Sequence, residues 1–369
     1  MKFTNNNFGK NIKYNKSSKK SRGDVLEQRL FRIFFAAFAA ILIFISIHIF
    51  VNRNNITADT ANYMTLTQAE TGTKEIYGAN KDASGNVTNL NGLISISCYG
   101  DSFTNAPNDA TASYPGVLSI LAQRTVYNVA VDNDSIFEMA AREGGRPILV
   151  SPFIIPTTKA STEVLISNND GKALNFDFSK NGGLNPCKIQ GVEGLLSVID
   201  GKYCFTRAES GDETLVLTPT EVESRAMQLR RDDICIFFLG DDNIYKTPEK
   251  AVEIYKDMAD YLTSENKSYL IVGPVKGEVA ILNAANNALA EAFGDKFLDL
   301  RAYLINDAAE DLNIKLSEDD QVLANNGIIP YVYFSGSKYF SAQGADAAGS
   351  AIYEKLSSLN YFTDTPGNN

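Results

Sequence analysis

Histidine is almost absent from this chain of 369 residues: the only one is His48, inside an apolar run near the N-terminus. Among apolar neighbours His48 reads as a tolerated polar side chain near a membrane interface, not as a catalytic group. Its position excludes a histidine base or a histidine-ligated metal from the rest of the chain. Cysteine is sparse as well. Cys98, Cys187, Cys204 and Cys235 show no metal-type spacing, which excludes a zinc cluster. Cys98 and Cys235 sit in apolar runs that read as buried strands, where a free thiol packs as a small apolar group. Cys187 and Cys204 share a β-rich stretch, and a disulfide between them stays open. Positive charge is concentrated at one end. Residues 1–32 carry nine basic and two acidic side chains (+7), leaving 25 against 42 (−17) for the remainder. An acidic exterior argues against a nucleic-acid partner and against close adhesion to anionic lipid.

What is present begins with residues 33–51, nineteen residues in which only Ser46 and His48 are clearly polar. At about 1.5 Å per residue such a helix spans a bilayer's hydrocarbon core, so one transmembrane helix is expected. The basic tail, residues 1–32, should stay cytoplasmic and the chain from about residue 54 onward should lie outside, giving a single-pass protein of the cell membrane. A cleaved signal peptide is the competing reading. The long basic region and the lack of a small-x-small site after Val51 weigh against it. Residues 52–91, rich in Asn, Thr, Ala and Gly, suit a stalk or linker. The folded part then runs over 92–363, long enough to bury a full core.

Short apolar runs recur at 93–99, 125–131, 234–239, 269–275 and 296–300, separated by segments of helical spacing. This alternation predicts an α/β domain with a parallel sheet covered on both faces. The clearest helix starts at Thr247 with Pro248 in its first turn and Ala251, Ile254, Met258 and Tyr261 along one face, and it stops near Asn266. From 146 to 217 the alternation breaks into short strand-like runs (163–167, 173–178, 187–192, 195–199, 203–207 and 214–217) punctuated by Asn-Gly and Asp-Gly turns. These predict a β-rich subdomain inserted into the α/β domain. No internal repeat is visible.

Ligands of open α/β sheets collect at the carboxyl ends of the strands. Those ends carry Gly100-Asp101-Ser102-Phe103-Thr104, Asp132-Asn133-Asp134-Ser135 and Gly240-Asp241-Asp242-Asn243. Taken singly, Gly-Asp-Ser is an ordinary turn. Taken in order with Tyr-Pro-Gly-Val-Leu at 114–118, Val-Tyr-Asn-Val-Ala-Val at 126–131 and Tyr-Phe-Ser-Ala-Gln-Gly at 339–344, these landmarks resemble the SGNH or GDSL hydrolase family over about 92–362. The resemblance implies a three-layer αβα, flavodoxin-like fold, ancestral esterase or deacetylase activity on surface glycans or related acyl esters, and no cofactor.

It also implies roles. Ser102 matches the family's nucleophile, next to Asp101. The oxyanion donors are the nucleophile's own N–H, a second-motif glycine and an asparagine amide two residues after the third-motif glycine, here Gly240. Asn133 or Asp132 stands in place of that second-motif glycine, and Asp242 in place of the asparagine. An ionised Asp only accepts hydrogen bonds, although Asn243 could supply an amide if the loop shifts by one residue. The family's final Asp-x-x-His, anchored on Gly344, falls on Gly336 and Tyr339, so orienting acid and base are both missing. Lys338 is the one basic side chain next to the vacated position; a buried lysine can serve as a base, and a solvated one is the plainer reading. Asp101, Asp132, Asp134, Asp241 and Asp242 would together suit a cation such as Ca²⁺ or an amine, unless they cap helices or face solvent. The expectation is therefore a hydrolase fold with impaired chemistry, acting as a binding or assembly module for a cell-surface glycan or acyl ester. The alternative is an esterase, deacetylase or acyl transferase that uses Ser102 without histidine.

Overall fold

The computed structural model describes residues 93–363, apart from 107–112, 169–173, 177–181, 242 and 265–266, together with the backbone of three short strands at 75–77, 80–81 and 87–88; the side chains of 243 and 244 are not described. The expected membrane span at 33–51 and the basic tail lie outside the described residues. Among the described residues no helix is long and apolar enough to cross a membrane.

The domain is a mixed α/β fold around a six-stranded sheet. Its strands are β1 (Glu75–Tyr77), β2 (Ile96–Gly100), β3 (Val126–Asn128), β4 (Ile234–Phe238), β5 (Tyr269–Val272) and β6 (Phe297–Leu298), in spatial order β1-β3-β2-β4-β5-β6. All are parallel to their neighbours except β1, an antiparallel edge strand that lies within the stretch read as a stalk. Both β2 and β4 are buried along their whole length, which is why each reads as a continuous apolar run rather than an alternating one.

Helices cover both faces. On one face, Ile96, Cys98, Ile236 and Phe238 pack with Tyr114 and Leu118 of α2 (Tyr114–Ala122) and with Ala348, Ile352 and Leu356 of α6 (Ala342–Ser358). On the other, Tyr99, Cys235 and Phe237 meet α3 (Ile136–Glu143), α4 (Pro248–Tyr261) and α5 (Val279–Phe293). The helix expected at Thr247 is α4. Thr247 is its N-cap residue but makes no side-chain cap bond, and the buried stripe is Ala251, Ile254, Tyr255 and Met258. Burying these side chains contributes on the order of 1.5–3 kcal/mol for each large one.

Between α3 and β4 the chain builds a seven-stranded antiparallel sheet with its own core of Ile148, Val150, Cys187, Ile189, Leu196, Phe205 and Val222. Its strands run from Ile148–Val150 to Thr220–Glu223, the last beyond the 146–217 stretch read from the sequence. All four cysteines are free and buried. Cys187 and Cys204 occupy two strands separated by Val192–Ile199, paired with Gly194 and Ser197 of it. Two inter-strand spacings, about 9–10 Å, exceed the Cα separation a disulfide can bridge.

Candidate functional site

The site starts from the corner after β2. Gly100 ends the strand under tight constraint, since a Cβ there would sit 2.2 Å from the Phe238 carbonyl and 2.3 Å from Thr104 Oγ1. Asp101 then caps the short helix α1 (Ser102–Asn105), accepting from the Phe103 N–H at 3.0 Å with one oxygen and from the Gly240 N–H at 3.0 Å with the other. Asp101 therefore ties the first strand end to the third. Burial pushes its carboxyl up to about 7, against the pull of those backbone N–H groups. Gly240 has no room for a side chain either: a Cβ would lie 2.2 Å from the Phe103 ring.

Ser102 opens α1 and is only 5% exposed. Among the described residues the one hydrogen bond to its Oγ comes from the Asn133 N–H, at 3.4 Å. That amide belongs to the loop after β3, where Asn133 adopts a left-handed φ of 63°, a conformation Asn tolerates better than most residues. Two anchors hold the loop. Asp132 accepts from Asn105 Nδ2 at 2.5 Å and from the Tyr339 hydroxyl at 3.4 Å. Asp134 is paired with Arg142, whose side chain is 1% exposed and which also donates to the carbonyls of Val129, at 2.6 Å, and Gly182. Ser224 Oγ in turn donates to the Arg142 carbonyl at 2.5 Å. Arg142 thus fastens the inserted subdomain, through Gly182 and Ser224, to the loop that presents Asn133.

The side of the site where a base would stand is built differently. Phe334–Ser335 and Tyr339–Phe340 form a small hairpin whose turn contains Gly336 at φ 67°, with nothing within 4 Å of its missing Cβ. Tyr339 is half-buried and its hydroxyl is directed to Asp132. Lys338 is exposed and donates to Asn133 Oδ1, not to Ser102. Lys276 donates to the Ser337 carbonyl, fastening this turn to the end of β5. No hydrogen bond joins Ser102 Oγ to Asp101, Lys338 or Tyr339.

These walls enclose an open cleft of about 780 Å³, lined by Asp101, Ser102, Asn133, Asp241, Lys246 and Lys338 among others. The fold therefore brings together Asp101, Ser102, Asn133, Gly240 and, through Asp132, Tyr339. Asp242 lies outside the described residues. Asn243 begins a single 3₁₀ turn, Asn243–Lys246, and its side chain is not described. The carboxylates do not converge: Asp101 is turned to backbone N–H groups and Asp134 to Arg142, and among the described residues no group of three or more His, Cys, Asp or Glu could hold a metal ion. Asn105, Arg142, Lys246 and Lys250 contribute to the site without having been singled out in the sequence. Asn105 follows Gly-Asp-Ser closely enough to have been suspected, whereas Arg142 reads as an ordinary basic residue in the last turn of a helix. No protein-family model matches this chain, and no curated protein matches it.

Proposed function

We propose that this chain is a membrane-anchored, extracytoplasmic binding or assembly module, built on a three-layer, flavodoxin-like domain of the SGNH hydrolase kind, that keeps the ligand cleft and has lost hydrolysis. Its ligand class is a cell-surface glycan or acyl ester. The reading draws on the order of the strand-end motifs and on the Asn133 N–H standing where an oxyanion donor is needed. One observation carries the loss of chemistry: Ser102 Oγ receives a hydrogen bond from Asn133 and gives none to any described base. Without a partner to take its proton, a serine hydroxyl is a poor nucleophile.

A fluorophosphonate probe tests this. The wild-type chain should remain unlabelled at Ser102, while Gly336→Asp with Tyr339→His, which restores acid and base at the family's spacing, should raise labelling by roughly 10²-fold or more. Gly336 offers open space for the new side chain, and Asp tolerates a positive φ better than most residues. Stoichiometric labelling of the wild type overturns the reading in favour of an esterase or acyl transferase; its loss in Lys338→Ala would assign the base to Lys338.

A further inference from the structure

The charges in the cleft do not match those of the domain around it. Residues 33–369 carry a net charge of −17, yet Lys246, Lys250 and Lys338 all line the cleft beside Ser102. They come from three elements, the 3₁₀ turn Asn243–Lys246, the first turn of α4 and the 335–339 hairpin, so the grouping is not one helical face meeting solvent. Of the three described carboxylates in the lining, two are committed elsewhere. Asp134 is paired with the buried Arg142, and Asp101 is turned to the N–H groups of Phe103 and Gly240. Asp241 is exposed in the lining, and a parallel backbone β-bridge sets Lys276 beside it. Of the three lysines, Lys250 pairs with Glu253 at 3.1 Å, a glutamate it shares with Arg146. Among the described residues Lys338 meets only the neutral amide oxygen of Asn133.

The placement of two of these lysines works against helix stability. Lys246 precedes the Thr247 cap and Lys250 lies in the first turn of α4, at the positive end of the helix dipole, where a cation is unfavourable by a few tenths of a kcal/mol to about 1 kcal/mol. Stability of the fold does not ask for them there. The lining sets three carboxylates against three lysines, but Asp134 is paired with Arg142 and Asp101 is turned to backbone N–H groups, so among the described residues Lys246 and Lys338 face the cleft against Asp241. Positive charge beside a low-dielectric wall concentrates anions, and a volume of about 780 Å³ exceeds what a monosaccharide needs.

We propose that this cleft is a receptor for an oxyanion-bearing saccharide, a sugar carrying a carboxylate or a phosphate, held by Lys246 and Lys338 with Lys250 at the margin. This rests on the reading of the cleft as a binding site and adds the charge of what it binds. An acidic surface around a cleft that presents Lys246 and Lys338 would admit such a ligand while discouraging polyanions too large to enter.

The test is titration of the full-length chain in neutral detergent, followed by ligand-observed NMR, with glucose, glucuronic acid and glucose 6-phosphate as probes. At least one of the two acids should bind at least tenfold more tightly than glucose, and more weakly at 0.5 M than at 0.05 M salt. Binding of glucuronic acid alone assigns a carboxylate, and of glucose 6-phosphate alone a phosphate. Lys246→Gln with Lys338→Gln should weaken the acid at least tenfold and leave glucose unchanged, whereas Lys246→Arg with Lys338→Arg should retain it; both lysines are exposed, so an unchanged melting transition checks folding. Equal binding of all three sugars, wild-type affinity in the glutamine variant, or no binding of either acid overturns the proposal. The titrations are repeated in Ser102→Ala. Ser102-dependent ester hydrolysis would end the non-catalytic reading, while the charge preference measured in Ser102→Ala would still stand or fall by itself.

Discussion

The two sides of the cleft are constrained to very different degrees. On the Ser102 side, Gly100 and Gly240 exclude any Cβ, Asp101 ties two strand ends together, and the loop bearing Asn133 is held by Asp132 and by the buried Asp134–Arg142 pair. On the hairpin side, Gly336 faces open space, Lys338 is exposed, and Tyr339 reaches Asp132 over 3.4 Å. The surroundings of Ser102 are part of the core of the fold, because Phe103, next to it in α1, packs against Phe238. The hairpin is anchored in the same cluster through Phe340, but its turn, with Gly336 and Lys338, stands clear of it. On the proposed reading, loss of catalysis falls on the side where substitution disturbs the least packing.

The largest effect that would break this contrast is at Arg142. Arg142→Met removes the partner of the buried Asp134 and should cost about 3–5 kcal/mol, as uncompensated buried charges do. Asp134→Asn should cost less, since Arg142 keeps the carbonyls of Val129 and Gly182. Urea unfolding of both variants checks this; equal and small losses would mean that the Asn133 loop is not held as described.

The next effect concerns two buried carboxyls, one in the site and one away from it. Burial pushes Glu143 up to about 8, with the Gly145 N–H at 2.9 Å as a hydrogen-bond donor, and Asp101 up to about 7. In the unfolded chain both titrate near 4. Between those values the folded state holds protons that the unfolded state has released, so stability falls as pH rises from about 4 to about 8. Glu143→Gln cannot ionise. It should match the wild type at or below about pH 4 and be more stable by on the order of a few kcal/mol at pH 9. Chemical denaturation across that range reads the difference, and parallel stability curves for the two proteins would refute it.

The smallest effect belongs to the loosely held side. Tyr339→Phe removes one long hydrogen bond from a half-buried ring and should change stability by less than about 1 kcal/mol. A loss as large as that of Arg142→Met would erase the contrast between the two sides.

Much of this was legible in the sequence, and the exceptions share a cause. Strands β2 and β4 and helix α4 announce themselves through apolar runs and Pro248, which are local signals. The Gly-Asp-Ser corner and the antiparallel insertion were readable from turn residues. Arg142 was not, because its burial depends on Gly182 closing over it from 40 residues away. Strand β1 was hidden for a similar reason: three residues, Glu75–Tyr77, gain strand character only by pairing with β3. The run at 173–178 suggested a strand, yet Leu174 and Phe176 are buried in the insertion core without regular structure, and the Asn175 N–H goes to Glu138. The convergence of Lys246 and Lys338 on one cleft was equally invisible, since they are 92 residues apart in the chain.

The central claim is that the cleft persists without its chemistry, and the most direct test is the rate of hydrolysis of a chromogenic acetyl ester by the purified full-length chain and by Ser102→Ala. The account predicts the same low rate for both, indistinguishable from the solvent background. A wild-type rate well above that of Ser102→Ala would contradict it, because Ser102 would then be acting as a nucleophile despite the missing base.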